Sequence, residues 1–125
     1  MIFGVGTDVV EIGRIEAALK RHGERFARRI LCESELARFR SHRLPANYLA
    51  KRFAAKEAFA KALGTGVRPP ATLQAVMVGH DGAGRPVYAY DARLAAYLAE
   101  HGLSAHLSLS DENDYVVAFA LIERP

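Results

Sequence analysis

The stretch from Lys51 to Gly66, KRFAAKEAFAKALGTG, constrains the fold more than any other part of this sequence. Upstream of it, Pro45 suits the first turn of a helix, and Gly64 is typical of a helix end. The pattern therefore predicts one long helix between these two residues. At about 100° per residue its alanines share an arc that lets another backbone approach closely, and this arc contains Ala54, Ala55, Ala58 and Ala62.

The charged residues of this helix lie on two separate stripes. Glu57 and Lys61 are one turn apart on the first stripe, and Arg52 and Lys56 share the second. A pair such as Glu57 and Lys61 is common on exposed helix surfaces, where it contributes about 0.2–0.5 kcal/mol. On a helix packed by alanines, however, each polar group needs a partner. The first pair is therefore also a candidate catalytic site.

The other elements follow from apolar periodicity and turn residues. We predict helices at 11–22, at 32–43 and from Asp91 to 101, and strands at 2–10, 74–79, 85–90, 104–110 and 115–123. The last four strands form two antiparallel hairpins by their turn chemistry. The final strand, YVVAFALIE, is apolar on both faces, which indicates a central position or a subunit interface.

Length and composition predict a single domain. A chain of 125 residues, half of them hydrophobic, supports one compact core. The predicted fold class is α+β, with a small antiparallel sheet packed on the long helix and one domain spanning residues 1–125. Cys32 is the only cysteine, and Asp8 and Glu11 interrupt the N-terminus too early for a secretory signal. No apolar run suits a membrane span, so we expect a cytoplasmic protein.

Positive charge is concentrated near the N-terminus. The formal net charge is +3, and residues 12–29 contain six cations but only two acids. Arg14 and Arg21 lie away from the apolar stripe of the first helix, whereas Arg25 would extend their line only if the helix continued beyond Gly23. Such a patch attracts an acidic protein, a nucleic acid or a phosphorylated small molecule, although a solvated helix face has the same pattern.

Two motifs resemble the signatures of one enzyme family. RFAAKEAFAKALGTG and the N-terminal GVGTDVVEIGRIE resemble the two signatures of the holo-acyl-carrier-protein synthases, the small phosphopantetheinyl transferases. The segments RFARRIL and ESELARF also look like this family, and the resemblance covers essentially all of the chain. It implies an enzyme of fatty-acid biosynthesis that transfers the 4′-phosphopantetheine group of coenzyme A to a serine of apo acyl carrier protein, releasing adenosine 3′,5′-bisphosphate.

The resemblance also implies a metal site and catalytic residues. Asp8 and Glu57 would hold Mg²⁺, a cation that prefers oxygen ligands and keeps several waters. Glu57, directly or through a water, would accept the proton of the serine. Lys61 would stabilise the leaving phosphate. Asp8 alone is as often a turn or cap residue as a metal ligand.

Further residues are implied as contacts to coenzyme A. Arg52 and Lys56 are candidate partners of its phosphates, although either residue also fits an ordinary solvated or ion-paired role. Gly64 and Gly66 belong to the loop at the end of the long helix. Because a helix C-terminus repels anions, we expect this loop to supply shape rather than charge to the coenzyme A site.

The resemblance implies two protein partners. The first is a second copy of the chain, because the family forms homotrimers with each coenzyme A site between neighbouring subunits. The second is acyl carrier protein, whose acidic helix would dock on Arg14, Arg21 and Arg25. Many members carry a histidine where this chain has Asp111, so Asp111 is either a third carboxylate near the metal or the first residue of a turn.

Two other functions stay open at this point. A noncatalytic basic module that binds RNA would use the same arginines, but the sequence lacks the aromatic platform of such proteins. A transferase that serves polyketide or peptide carrier proteins would keep the same site. We predict the carrier-protein enzyme, with no nucleic-acid partner and no membrane partner.

Overall fold

The computed structural model describes residues 1–125 and contains five strands and five helices. The strands are β1 (Ile2–Glu11), β2 (Val76–His80), β3 (Pro86–Tyr90), β4 (Ser104–Asp111) and β5 (Tyr115–Glu123). The helices are α1 (Ile12–His22), α2 (Glu24–Ile30), α3 (Glu33–Ser41), α4 (Pro45–Leu63) and α5 (Ala92–His101). Each predicted element is present with ends within two residues of the prediction, and α2 is an additional helix.

The larger sheet is antiparallel and has the strand order β1–β5–β4, so that β5 lies at its centre. Of the two alternatives predicted for the doubly apolar last strand, this confirms the central position. Its inner residues pack against α4 and are fully buried, namely Val116, Ala118, Ala120 and Ile122. Its outer face is open in the single chain, where Val117 is 41% and Phe119 is 40% exposed.

α4 approaches β1 closely because β1 has glycines on the facing side. A Cβ atom on Gly6 would lie 2.7 Å from the amide nitrogen of Ala62, and one on Gly4 would meet the carbonyl oxygen of the same residue. Asp8 follows at the next position on this face, since alternate residues of a strand share a side. The predicted close packing of the long helix is therefore present. Asp8 lies on the side of β1 that faces α4, because it shares this side with Gly4 and Gly6.

Three short helices connect β1 to α4. Gly23, with a φ of 63°, ends α1, and α2 begins at the next residue, so the arginines of the two helices do not form one continuous line. Glu24 joins α2 to α3 by accepting hydrogen bonds from Arg40 at 2.7 and 2.8 Å. These hydrogen bonds are the main reason why the pKa of Glu24 is lowered to about 2.

Besides β4 and β5, the second half of the chain forms a two-stranded sheet and α5. β2 and β3 form the predicted hairpin, and the hydroxyl of Tyr88 donates to the carbonyl of Ala55 on α4 at 2.6 Å. Asp91 caps α5 by accepting from the amide of Leu94 at 2.9 Å, and Gly102 ends this helix in the left-handed conformation. None of the helices combines the length and apolar character needed to cross a membrane.

Candidate functional site

Asp8 and Glu57 line one open cleft where the end of β1 meets α4. The cleft has a volume of about 480 Å³ and also includes Glu11, Arg14 and Phe53. We call it the carboxylate cleft. The side chain of Asp8 is only 17% exposed because α4 covers it. The fold thus brings together two carboxylates that are far apart in the sequence.

Lys61 contacts the same cluster from the next turn of α4. Its Nζ atom lies 3.2 Å from Oδ1 of Asp8 and donates to the carbonyl oxygen of Thr7 at 2.8 Å. The three residues predicted to act in catalysis, Asp8, Glu57 and Lys61, therefore form one cluster of two negative charges and one positive charge. A lysine so close to a carboxylate pair can bind an anion that approaches the same cleft.

The electrostatics of the carboxylate cleft favour a divalent cation. Partial burial, and then the negative charge of Asp8, raise the pKa of Glu57, while Lys61 opposes the shift. No group of three or more His, Cys, Asp or Glu side chains forms a metal cage. A hard cation such as Mg²⁺ commonly takes only one or two carboxylates from a protein and completes its shell with water and phosphate oxygens. Asp8 and Glu57 fit this requirement.

Magnesium is expected to stabilise the folded protein through these two residues. Because folding raises the pKa of Glu57, it favours the protonated carboxyl, and this stabilisation is lost as the pH rises through the raised pKa. At pH 7.5, saturating Mg²⁺ should relieve the resulting repulsion and raise Tm by about 2–4 °C, with a smaller rise at pH 5. Differential scanning fluorimetry with and without the ion measures this effect.

Glu57→Gln removes one of the repelling charges, so it should raise Tm without magnesium and abolish the magnesium-dependent rise. Glu100→Gln, at an exposed position of α5, is the matched control and should respond to the ion like the unaltered protein. An equal magnesium-dependent rise in Glu57→Gln would contradict the assignment of Glu57 as a ligand.

Lys56 does not lie at the surface. It is only 1% exposed, and its Nζ atom donates to the Glu35 carboxylate at 2.6 Å and to the carbonyls of Ile30 and Leu73 at 2.8 Å each. Burial lowers the pKa of Lys56, and Glu35 opposes this shift. All three N–H donors are used by the protein, so the prediction that Lys56 contacts a phosphate of coenzyme A is wrong.

Arg52 lines a second cleft, which shares no residue with the carboxylate cleft. Its guanidinium lies 4.0 Å from the centre of the Tyr48 ring, and Nη2 donates to the carbonyl of Val78 at 3.4 Å. Its Nε atom is buried and has no hydrogen-bond partner. This second cleft, of about 650 Å³, contains further groups that are or can become cationic, namely Arg38, His42, Arg43, Lys51 and His80. We call it the basic cleft, and its charge suits an anion.

Asp111 belongs to the basic cleft and not to the carboxylate cleft. It is the last residue of β4, and its Oδ2 atom lies 3.3 Å from Nζ of Lys51. Within one chain it is therefore not a third carboxylate in the carboxylate cleft, and it lies directly before the connection between β4 and β5. The alternative of a third carboxylate near the metal is wrong for the single chain, because Asp111 lies at the end of β4 beside Lys51, in the N-terminal half of α4.

Gly64 and Gly66 shape the chain beyond α4 through their positive φ angles of 86° and 72°. Neither residue lines the carboxylate cleft or the basic cleft. Their expected contribution to binding stays a prediction.

The predicted docking arginines lie on α1 (Arg14 and Arg21) and on α2 (Arg25). Arg14 lines that cleft, is 86% exposed and lies 3.4 Å from Glu11. Arg21 and Arg25 are exposed and make no ion pair, so their charges are available to an acidic partner.

Sequence reasoning missed Glu35, which is the buried partner of Lys56. The only local signal was a helix start at Cys32, where the Glu35 side chain accepts from the Cys32 amide at 3.1 Å. That signal predicts a cap and says nothing about a contact with α4. The partner could not have been found from spacing along the chain.

Comparisons with known proteins agree with these observations. Residues 4–120 match a family model described as the 4′-phosphopantetheinyl transferase superfamily. The chain is 65% identical to a holo-[acyl-carrier-protein] synthase of Azoarcus sp. (strain BH72), over 98% of both chains.

Two solved structures are similar over nearly their whole length. A holo-[acyl-carrier-protein] synthase from Neisseria meningitidis has a TM-score of 0.94 and 49% identity, covering 98% of this chain and 99% of that chain. A holo-(acyl-carrier-protein) synthase from Bacillus anthracis str. Ames, in complex with CoA (3′,5′-ADP), has a TM-score of 0.84 and 31% identity. The match covers 100% of this chain and 99% of that chain.

Proposed function

Because the chain belongs to the 4′-phosphopantetheinyl transferase superfamily, we propose that it transfers the 4′-phosphopantetheine group of coenzyme A to a serine of apo acyl carrier protein. The observation that carries this proposal is that Asp8 and Glu57 line one open cleft together with the exposed Arg14, and that Lys61 contacts Asp8. A phosphoryl transfer needs groups that bind a phosphate, neutralise its charge and accept a proton. Asp8, Glu57 and Lys61 supply these groups. We propose that the protein serves fatty-acid biosynthesis.

Asp8, Glu57 and Lys61 divide this chemistry between them. The serine oxygen forms a bond to the phosphorus that bears pantetheine, and the bond from this phosphorus to the bridging oxygen breaks, releasing adenosine 3′,5′-bisphosphate. Glu57, directly or through a water, accepts the serine proton, and its raised pKa makes it a stronger base than an exposed glutamate. Lys61 binds the leaving phosphate. Mg²⁺ held by Asp8 and Glu57 would neutralise charge on the phosphate oxygens.

The separation of the two clefts supports a site shared between subunits. Coenzyme A carries several phosphates, and the basic cleft and the carboxylate cleft have no residue in common. The outer face of the β1–β5–β4 sheet offers a surface for self-association, because Val5, Val9, Val117 and Phe119 are 40–62% exposed there. We propose a homotrimer in which the basic cleft of one subunit, with Arg52, faces the carboxylate cleft of the next. A solution mass of one chain by light scattering would contradict this.

The test of the proposed function is the intact mass of purified apo acyl carrier protein after incubation with this protein, coenzyme A and Mg²⁺. A gain of one phosphopantetheine group that disappears with a chelator is the expected result. Modification of polyketide or peptide carrier proteins alone would favour a transferase that serves those carriers. No gain on any carrier, together with RNA binding that weakens steeply with salt, would favour the basic binding module.

Reversal of one charge on α1 should separate carrier binding from coenzyme A binding. Arg14→Glu places a negative charge where an acidic helix would dock, so it should raise KM for the carrier about tenfold, or ~1.4 kcal/mol. KM for coenzyme A should stay nearly unchanged. Steady-state kinetics with each substrate varied in turn measure both values.

The matched control is Arg93→Glu, which makes the same charge change at an exposed position of α5 and should leave both KM values unchanged. An equal increase of both KM values in Arg14→Glu would show that Arg14 does not act by docking the carrier.

A further inference from the structure

Glu35 of α3 is a buried carboxylate that contacts two other elements, α4 and β2. It is only 4% exposed. Its Oε1 atom accepts from Nζ of Lys56 on α4 at 2.6 Å, and Oε2 accepts from the amide of Val78 on β2 at 3.0 Å. Oε2 also lies 4.0 Å from Nε of Arg52. One side chain thus connects α3, α4 and the hairpin behind the basic cleft.

Two residues that are hydrogen-bonded to Glu35, Tyr48 and Val78, also contact the guanidinium of Arg52. The Tyr48 ring lies against one face of the guanidinium at 4.0 Å, and Tyr48 itself is fixed by a 3.1 Å hydrogen bond from its hydroxyl to the Glu35 carbonyl. The carbonyl and amide of Val78 bind Arg52 and Glu35 respectively. Arg52 therefore contacts Tyr48, Val78 and Glu35 on its protein side, and it also lines the basic cleft.

The buried charges of Glu35, Arg52 and Lys56 do not cancel, and one positive charge remains at Arg52. Two buried cations, Arg52 and Lys56, share the single carboxylate of Glu35. Lys56 has all three donors in hydrogen bonds, whereas Nε of Arg52 has none. Desolvation lowers the pKa of each cation and the carboxylate opposes it. The positive charge that is not compensated inside the protein thus lies on the residue that borders the cleft.

We infer that Glu35 is a positioning residue for the transfer reaction, because its carboxylate orients the Arg52 guanidinium so that Arg52 binds a phosphate of coenzyme A in the basic cleft. The inference rests on the proposed function. It assigns Glu35 no contact with substrate. Its effect must therefore pass through Arg52.

Glu35→Gln separates positioning from charge, because the amide keeps the size of the side chain and removes its negative charge. A purely electrostatic role predicts tighter coenzyme A binding, since the cleft becomes more positive. Loss of orientation predicts weaker binding instead. We expect KM for coenzyme A, and its Kd by calorimetry, to rise about tenfold, with kcat at saturating coenzyme A and KM for the carrier within about twofold of wild type.

A double-mutant cycle with Arg52→Met tests whether the effect passes through Arg52. In the Arg52→Met background, Glu35→Gln should cause no further increase of KM for coenzyme A, since interacting residues are not additive. Additive increases would overturn the inference, as would unchanged or tighter binding in Glu35→Gln alone.

Lys56→Met controls for loosening of the fold, because it removes the other partner of Glu35 and leaves Arg52 in place. It should lower Tm while keeping KM for coenzyme A within about twofold of wild type. An increase as large as that of Glu35→Gln would show a general structural effect and overturn the inference. Where Glu35→Gln does not fold, Glu35→Asp, which withdraws the carboxylate by one methylene, takes its place in the cycle under the same criteria.

The inference and the proposed function fail in different ways. Without any transfer by the wild-type protein, the proposed function is wrong. With normal wild-type transfer and normal coenzyme A binding in the Glu35 variants, only the positioning role is wrong.

Discussion

Glu57→Gln is expected to lower the rate of phosphopantetheine transfer by at least about 10³-fold and to leave the fold intact. The amide keeps the size of the side chain, but it cannot accept a proton and it carries no charge for a cation. Asp8 would remain as the only carboxylate opposite Lys61, at 3.2 Å. Both proposed roles of Glu57, metal ligand and proton acceptor, are lost in one substitution.

The measurement is single-turnover transfer followed by intact mass of the carrier, with circular dichroism to verify the fold. Glu100→Gln, which makes the same chemical change at an exposed position of α5, should keep the wild-type rate. A Glu57→Gln protein that retained about a tenth of the wild-type rate would exclude Glu57 as the proton acceptor and as an essential ligand.

Gly6→Ala is expected to destabilise the protein by about 3 kcal/mol, because the new methyl group would meet backbone atoms that cannot rotate away. It would lie against the carbonyl oxygen of Ala58 and 2.7 Å from the amide nitrogen of Ala62, both on α4. Relief requires α4 and β1 to separate. Asp8 and Glu57 lie on these two elements, so transfer should also fall at temperatures where the variant is still folded.

Urea unfolding measures the stability, and the matched control is Gly13→Ala on α1. A Cβ atom at Gly13 has no neighbour within 4 Å, so alanine should leave stability unchanged or raise it by up to about 1 kcal/mol. A Gly6→Ala protein within about 0.5 kcal/mol of wild type would mean that α4 and β1 can separate at little cost. In that case the close approach would not determine the geometry of the carboxylate cleft.

Local rules predicted most of the secondary structure. Pro45 and Gly64 mark the ends of α4. Asp91 caps the start of α5 with its side chain, and Gly102 ends this helix, through contacts that involve only neighbouring residues. The additional helix α2 was not predicted because it has only seven residues, too few for a clear periodic pattern. Its hydrogen bonds to Arg40 of α3 are tertiary contacts.

The candidate site could be predicted only in part. Glu57 and Lys61 share a stripe by helical geometry alone, and the resemblance of two motifs added Asp8. The same geometry assigned Arg52 and Lys56 to one stripe correctly but could not tell which of them reaches a cleft. Glu35 decides this, since it takes the charge of Lys56 inside the protein.

Spacing along the chain was enough to predict all elements except α2. It also predicted the alanine surface of α4 and the side chains that share a face of this helix, because these features depend only on neighbouring positions. The burial of Lys56 and the position of Asp111 in the basic cleft beside Lys51 became known only from the folded chain. Periodicity shows which residues share a face. Which element covers that face depends on contacts between segments that are distant in the sequence. Such contacts cannot be predicted from local spacing.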